Sequence, residues 1–167
     1  MSASPIEATE LTAQAFAPFG DVIEARGDPD KRINAGLCGR YHDLASLDFH
    51  ASGRAGISMF LSEPVERPFR LALVERHPLG SQCFIPMSGS SYLVVVAEDD
   101  NGVPTNIQAF LARPDQGVNY HRNTWHGTLM PIGKQAHFTV VDWIGESENL
   151  EEFRFDTPID IVTSMRD

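Results

Sequence analysis

From residue 57 onward the chain is a succession of short segments rich in Val, Ile, Phe and Tyr, each closed by Gly, Pro, Asn or Asp, with no long helical stretch between them. Such segments fall at residues 57–62, 69–77, 81–86, 92–97, 107–112, 117–120 and 137–144. Strands joined without crossover helices belong to sandwiches, jelly rolls or closed barrels, so the expected fold class is all-β. The runs YLVVVA and HFTVVDWI carry no polar face and predict strands covered on both sides.

Residues 7–17 (EATELTAQAFA) fit one short helix with Thr9 or Thr12 as cap. Pro18 and Gly20 then break the chain before a strand at 21–24, and the Gly-, Asp-, Pro- and Asn-rich stretch 25–40 reads as a long loop. The acidic tail 145–167 is left without an assigned element. With 167 residues and no internal repeat, one domain over 1–167 is expected.

Thirteen basic against 23 acidic residues give a net charge of −10, with no Lys/Arg stripe of the kind that displaces counterions from nucleic acid. The apolar run at 93–97 is far below the roughly 20 residues of a membrane helix, and no secretory leader is evident. Cys38 and Cys83 are too few for a disulfide framework and suit a reducing compartment, the cytoplasm. No nucleic-acid or membrane partner is expected, and an anionic ligand would have to rely on individual arginines.

Alternation along the second segment places Phe69, Leu71, Leu73, Glu75 and His77 on one face. A carboxylate on an inner face needs a cation, a proton or a metal. A salt bridge to an arginine would satisfy it equally well. A second cluster, GVNYHRNTWH at 117–126, concentrates Asn119, Tyr120, His121, Arg122, Asn123, Trp125 and His126, the ingredients of a pocket for a small polar ligand.

These two clusters resemble the paired motifs of the cupin superfamily. Glu75-x-His77, then Gln82 after four residues and Gly89 after six more, has the spacing of the first motif, with Glu75 and Gln82 at positions usually held by His and Glu. HRNTWH puts His126 at the histidine of the second, although His121 and Asn123 replace its usual Pro and Gly. More specifically, AFAPFGDVIE (15–24), RYHDLA (40–45), ERHPLGSQCFIPM (75–87) and QGVNYHRNTWH (116–126) look like the ureidoglycolate lyases, and the likeness runs from about 16 to 144.

The resemblance implies a cupin-type double-stranded β-helix or jelly-roll barrel, a homodimer, and release of urea and glyoxylate from ureidoglycolate in allantoin breakdown. It implies Glu75, His77, Gln82 and His126 as ligands of a divalent metal, nickel first, with zinc, manganese or iron compatible with the same donors. Glu75, His77, His126 and His121 are the acid–base candidates; Arg40, Arg76, Gln82, Asn119, Tyr120 and Arg122 are the candidates for holding substrate. Arg76 would point away from Glu75 in a regular strand, and Arg40 fits a contribution from a neighbouring subunit. No organic cofactor is implied. Direct hydrogen bonding of substrate without a metal, another cupin enzyme acting on a small hydroxy acid or ureide, and a non-catalytic ligand-binding cupin remain open.

Overall fold

All six residues of Tyr92–Ala97 are buried, because the strand they begin lies between two apolar layers. The computed structural model describes residues 4–164. In chain order its elements are β1 (Ile6–Glu7), β2 (Thr9–Glu10), α1 (Ala13–Phe16), β3 (Gly20–Ile23), β4 (Lys31–Ile33), β5 (Cys38–Arg40), β6 (Arg54–Ser62) and β7 (Phe69–Arg76). There follow β8 (Gln82–Pro86), β9 (Tyr92–Asp100), β10 (Val103–Ala112), β11 (Gly117–Tyr120), β12 (Trp125–His126), β13 (Met130–Pro131), β14 (Ala136–Ile144) and β15 (Glu151–Val162).

An eight-stranded sheet runs β1-β15-β7-β12-β9-β10-β2, with β13 on β9; a five-stranded sheet runs β3-β11-β8-β14-β6. Pairing is antiparallel except for β1 on β15 and β2 on β10. Phe16, Phe84, Tyr92, Val94, Val96, Phe110, Tyr120 and Phe138 fill the space between the sheets. On the other face of the larger sheet, Phe69, Leu71, Val74, Leu93, Val95, Trp125 and Ile161 form a second core. The architecture is the all-β, barrel-like arrangement that the succession of short strands leads one to expect.

Four local expectations are corrected. Helix forms only over Ala13–Phe16, with the Thr12 hydroxyl accepting from the Ala15 amide at 3.2 Å. Residues 6–7 and 9–10 instead pair with β15 and β10, since an isolated helix this short is marginal and sheet edges offer backbone partners. The loop at 25–40 contains a separate hairpin, β4–β5. The tail supplies the 12-residue β15, which covers β7. β14 is buried on one face only, with Phe138 and Val140 inside, Thr139 and Val141 half-buried and Ile144 exposed.

β7 also departs from simple alternation. Phe69, Leu71 and Val74 all join the second core, so the face slips by one residue between Leu71 and Val74, where pairing with β15 shifts between Arg154 and Ile159. Glu75 therefore points into the barrel, opposite to Phe69 and Leu71 rather than beside them.

β3 packs so closely on β11 that a Cβ at Gly20 would collide with the Asn119 carbonyl. Gly20→Ala is expected to cost ~1–3 kcal/mol through forced displacement of backbone. A urea-unfolding midpoint equal to wild type would contradict this close approach.

Candidate metal centre and active site

β12 is two residues long, yet it bridges β7 and β9 and sets His126 directly opposite Glu75. Cross-strand partners project to the same side, so the imidazole and the carboxylate share the barrel interior. His126 Nε2 lies 3.6 Å from Glu75 Oε1, and His77 Nε2 lies 3.9 Å from the same oxygen. One ligand atom from each of Glu75, His77 and His126 falls within 4.8 Å of the others. Gln82, at the start of β8, brings its Oε1 to 3.2 Å from His126 Nε2.

The ring nitrogens are assigned by their neighbours. His77 Nδ1 lies 2.7 Å from the Asn149 carbonyl and His126 Nδ1 lies 2.9 Å from the Thr124 carbonyl. A carbonyl only accepts, so each Nδ1 carries a proton, and in the neutral form of either ring Nε2 holds the lone pair. His77 Nε2 is then a buried atom without a partner. His126 Nε2 faces the Gln82 and Glu75 oxygens with a lone pair against two acceptors. Two imidazole lone pairs and a carboxylate converging in this way fit a divalent cation, and carbonyl contacts of this kind orient metal-binding imidazoles.

Burial pushes the Glu75 carboxyl upward; His77 opposes the shift and Glu152 adds to it. Burial, with His77 alongside, lowers His126 to about 3, against a weaker upward pull from its bond to Thr124. Tyr120 stacks on His126 with ring centres 4.1 Å apart and planes 14° apart, and burial pushes its hydroxyl upward. The cavity beside these groups measures about 550 Å³ and is lined by Phe60, Leu61, Ser62, Glu75, Phe84, Tyr120, His126, Gly127, Thr128 and Leu129. Among the described residues no lysine or arginine is in that lining.

Glu75, His77, Gln82, Tyr120 and His126 thus come together; the other candidates do not. Val118 and Tyr120 face the barrel interior, so alternation turns Asn119 outward, where it donates to Asp21 and to the Ser46 carbonyl. His121 follows on that side, 3.4 Å from Asp21, which withdraws it from the acid–base set. Arg76 is clamped on the outer face by Glu151 at 2.6 Å and Asp99 at 2.8 Å, over the Trp125 ring. Arg122 is held by Asp48 at 2.6 Å, outside the cavity lining. Arg40 is exposed on the β4–β5 hairpin. Sequence reasoning missed the β6 wall, Phe60–Ser62, and the Thr124 and Asn149 carbonyls; a backbone acceptor has no signature in side-chain composition.

Because folded His126 resists protonation until about pH 3, against 6.5 for an ordinary histidine, the unfolded chain binds that proton first. The stability from neutral burial is full above about pH 6.5 and falls as pH drops toward 3. The acid slope of the metal-free protein should exceed that of His126→Gln by up to roughly 1.4 kcal/mol per pH unit. Superimposable pH–stability curves would refute the buried neutral state.

The family model for ureidoglycolate lyase matches residues 3–162. The ureidoglycolate lyase of Rhodobacter capsulatus is 58% identical over 149 residues, covering 89% of this chain and 92% of that protein. That of Chelativorans sp. is 49% identical over 157 residues, covering 93% and 95%. Among solved structures, RmlC from Streptococcus suis aligns at 9% identity over 56% of this chain and 46% of its own, with a TM-score of 0.43. With its described β-barrel and a match spanning nearly its whole length, the chain belongs to the ureidoglycolate lyase family.

Proposed function

We propose that this protein cleaves ureidoglycolate to glyoxylate and urea in the cavity at Glu75, His77 and His126. The observation that carries this reading is the convergence of one carboxylate and two imidazole Nε2 atoms beside a cavity of about 550 Å³, in a chain of this family. One domain over 1–167 is part of the proposal; residues 1–3 and 165–167 lie outside the described residues.

In ureidoglycolate one carbon bears a hydroxyl, a carboxylate and a urea nitrogen. The reaction breaks the carbon–nitrogen bond, forms the aldehyde carbonyl, and moves the hydroxyl proton to the departing nitrogen. Glu75 Oε1 is placed to take that proton, and its raised affinity lets the carboxyl hold it before passing it on. Tyr120 and Phe84 wall the cavity and exclude water from one side, while the Gln82 side chain, its nitrogen donating to Asp142, turns its Oε1 toward His126. His77 and His126, their Nδ1–H groups engaged by backbone carbonyls, keep their Nε2 atoms directed at the reacting centre. A divalent cation held by Glu75, His77 and His126, with Gln82 as a further oxygen donor, would acidify the substrate hydroxyl when bound. Nickel is our first choice; nitrogen and oxygen donors also suit zinc, manganese or iron.

No helix among the described residues is long and apolar enough to cross a membrane. Two free cysteines agree with a reducing cytoplasm. A homodimer is the expected assembly, supported by the outer face of the five-stranded sheet, where Ile57, Met59, Leu61, Ile85 and Met87 are exposed together.

Incubated with ureidoglycolate, the protein should release glyoxylate and urea in equal amounts; ammonia in place of urea would indicate hydrolysis instead. His77→Ala and His126→Ala are each expected to lower turnover by ~10²–10⁴. A folded variant of either kind with wild-type turnover would remove the site assignment. Full activity of metal-free wild type would keep these residues and discard the cation.

A further inference from the structure

Phe84 and Val140 are register partners on β8 and β14, and both join the core between the sheets. Two residues away on each strand, alternation brings Gln82 and Asp142 to the same inner face. Gln82 Nε2 donates to Asp142 Oδ2 at 3.3 Å, and Gln82 Oε1 lies 3.2 Å from His126 Nε2. One amide thus joins the imidazole of the candidate metal centre to a second carboxylate, for which the reaction above has no use.

The two ends of that amide are not equivalent. A carboxylate only accepts, and an N–H bond to it is roughly twice as strong as one between neutral groups, so Asp142 fixes the Gln82 nitrogen on its own side. The oxygen is left facing His126, where in the neutral ring it meets a lone pair instead of a donor. Without Asp142 the amide gains by turning over, because its nitrogen then donates to His126 Nε2. A reversed amide caps that lone pair and points N–H groups at the place where Glu75, His77 and His126 converge. A cation there is repelled by N–H and attracted by the oxygen.

Asp142 has no other task in its surroundings. Its Oδ1 is buried without a hydrogen bond, and across β6 it faces Gly56, which brings no side chain. Among the described residues it makes no ion pair. A half-buried carboxylate satisfied at one oxygen only is costly, so packing does not account for it.

We propose that Asp142 is a positioning residue that anchors the Gln82 nitrogen, keeps the amide oxygen toward His126 and so leaves His126 Nε2 uncapped. Its consequence for metal binding rests on the cation site of the proposed function.

The test uses Asp142→Leu, which removes the acceptor at similar volume, and Asp142→Asn, which keeps an acceptor oxygen for Gln82. Zinc is titrated calorimetrically into the wild type, both variants, Gln82→Ala and the Gln82→Ala/Asp142→Leu double variant, with a thermal melt of each. Zinc affinity should fall ~10–100-fold in Asp142→Leu and recover in Asp142→Asn. In the Gln82→Ala background Asp142→Leu should change nothing further, because Asp142 acts only through the amide. In metal-free Asp142→Leu the His126 Nε2 nitrogen resonance should move as the reversed amide donates to it. Asp142→Ala replaces Asp142→Leu if the latter does not fold. Where the wild type binds zinc, a folded Asp142→Leu of equal affinity would overturn the proposal. So would an unshifted His126 Nε2, or a loss of affinity that persists in the Gln82→Ala background. If the wild type binds no zinc, a shifted resonance still supports Asp142 and removes the cation from the proposed function instead.

Discussion

The structure depends on holding a carboxylate and two imidazoles against one another inside an apolar barrel. An isolated buried charge is costly, so Glu75 requires a cation or a proton close by. Backbone carbonyls of Thr124 and Asn149 keep the histidine protons on Nδ1 and leave both Nε2 atoms facing the carboxylate. Burial then makes His126 hard to protonate, which preserves its lone pair across the physiological range.

Much of the surrounding fold serves that arrangement. β12 is held between β7 and β9, and the indole of Trp125 donates to Asp99 on the outer face while His126 points inward. Arg76 covers that indole and is itself fixed by two carboxylates, so an ion-pair cluster on one side of the sheet steadies the imidazole on the other. Tyr120 packs flat against the His126 ring from β11. β15 supplies the strand beside β7, and Asn149, just before it, carries the carbonyl that orients His77. The Asn149 side chain also accepts from the Leu79 amide at 2.6 Å, tying the tail to the turn after His77.

The sequence revealed the strands well because short β-branched and aromatic runs bounded by turn residues have few alternatives. It also brought Glu75, His77, Gln82 and His126 together through motif spacing. What it missed has identifiable causes. Residues 7–10 fit a helix start, but sheet edges far away in sequence compete for their backbone. Simple alternation puts Phe69 and Leu71 on the face of Glu75, because the slip in β7 leaves no local mark in the sequence. Asn119 and His121 look like pocket residues by composition, whereas strict alternation with Val118 and Tyr120 turns them outward. β15 lies in an acidic tail whose pattern is weak, and only its packing against β7 identifies it.

The central claim is that both imidazoles carry a proton on Nδ1 and turn Nε2 to one point beside Glu75. Long-range proton–nitrogen NMR of the histidine side chains at neutral pH measures this directly. The account predicts Nδ1–H tautomers for His77 and His126, with Nε2 signals that alone shift strongly when zinc, as a diamagnetic probe, is added. An Nε2–H tautomer in either ring, or zinc-induced changes at Nδ1 instead, would contradict it.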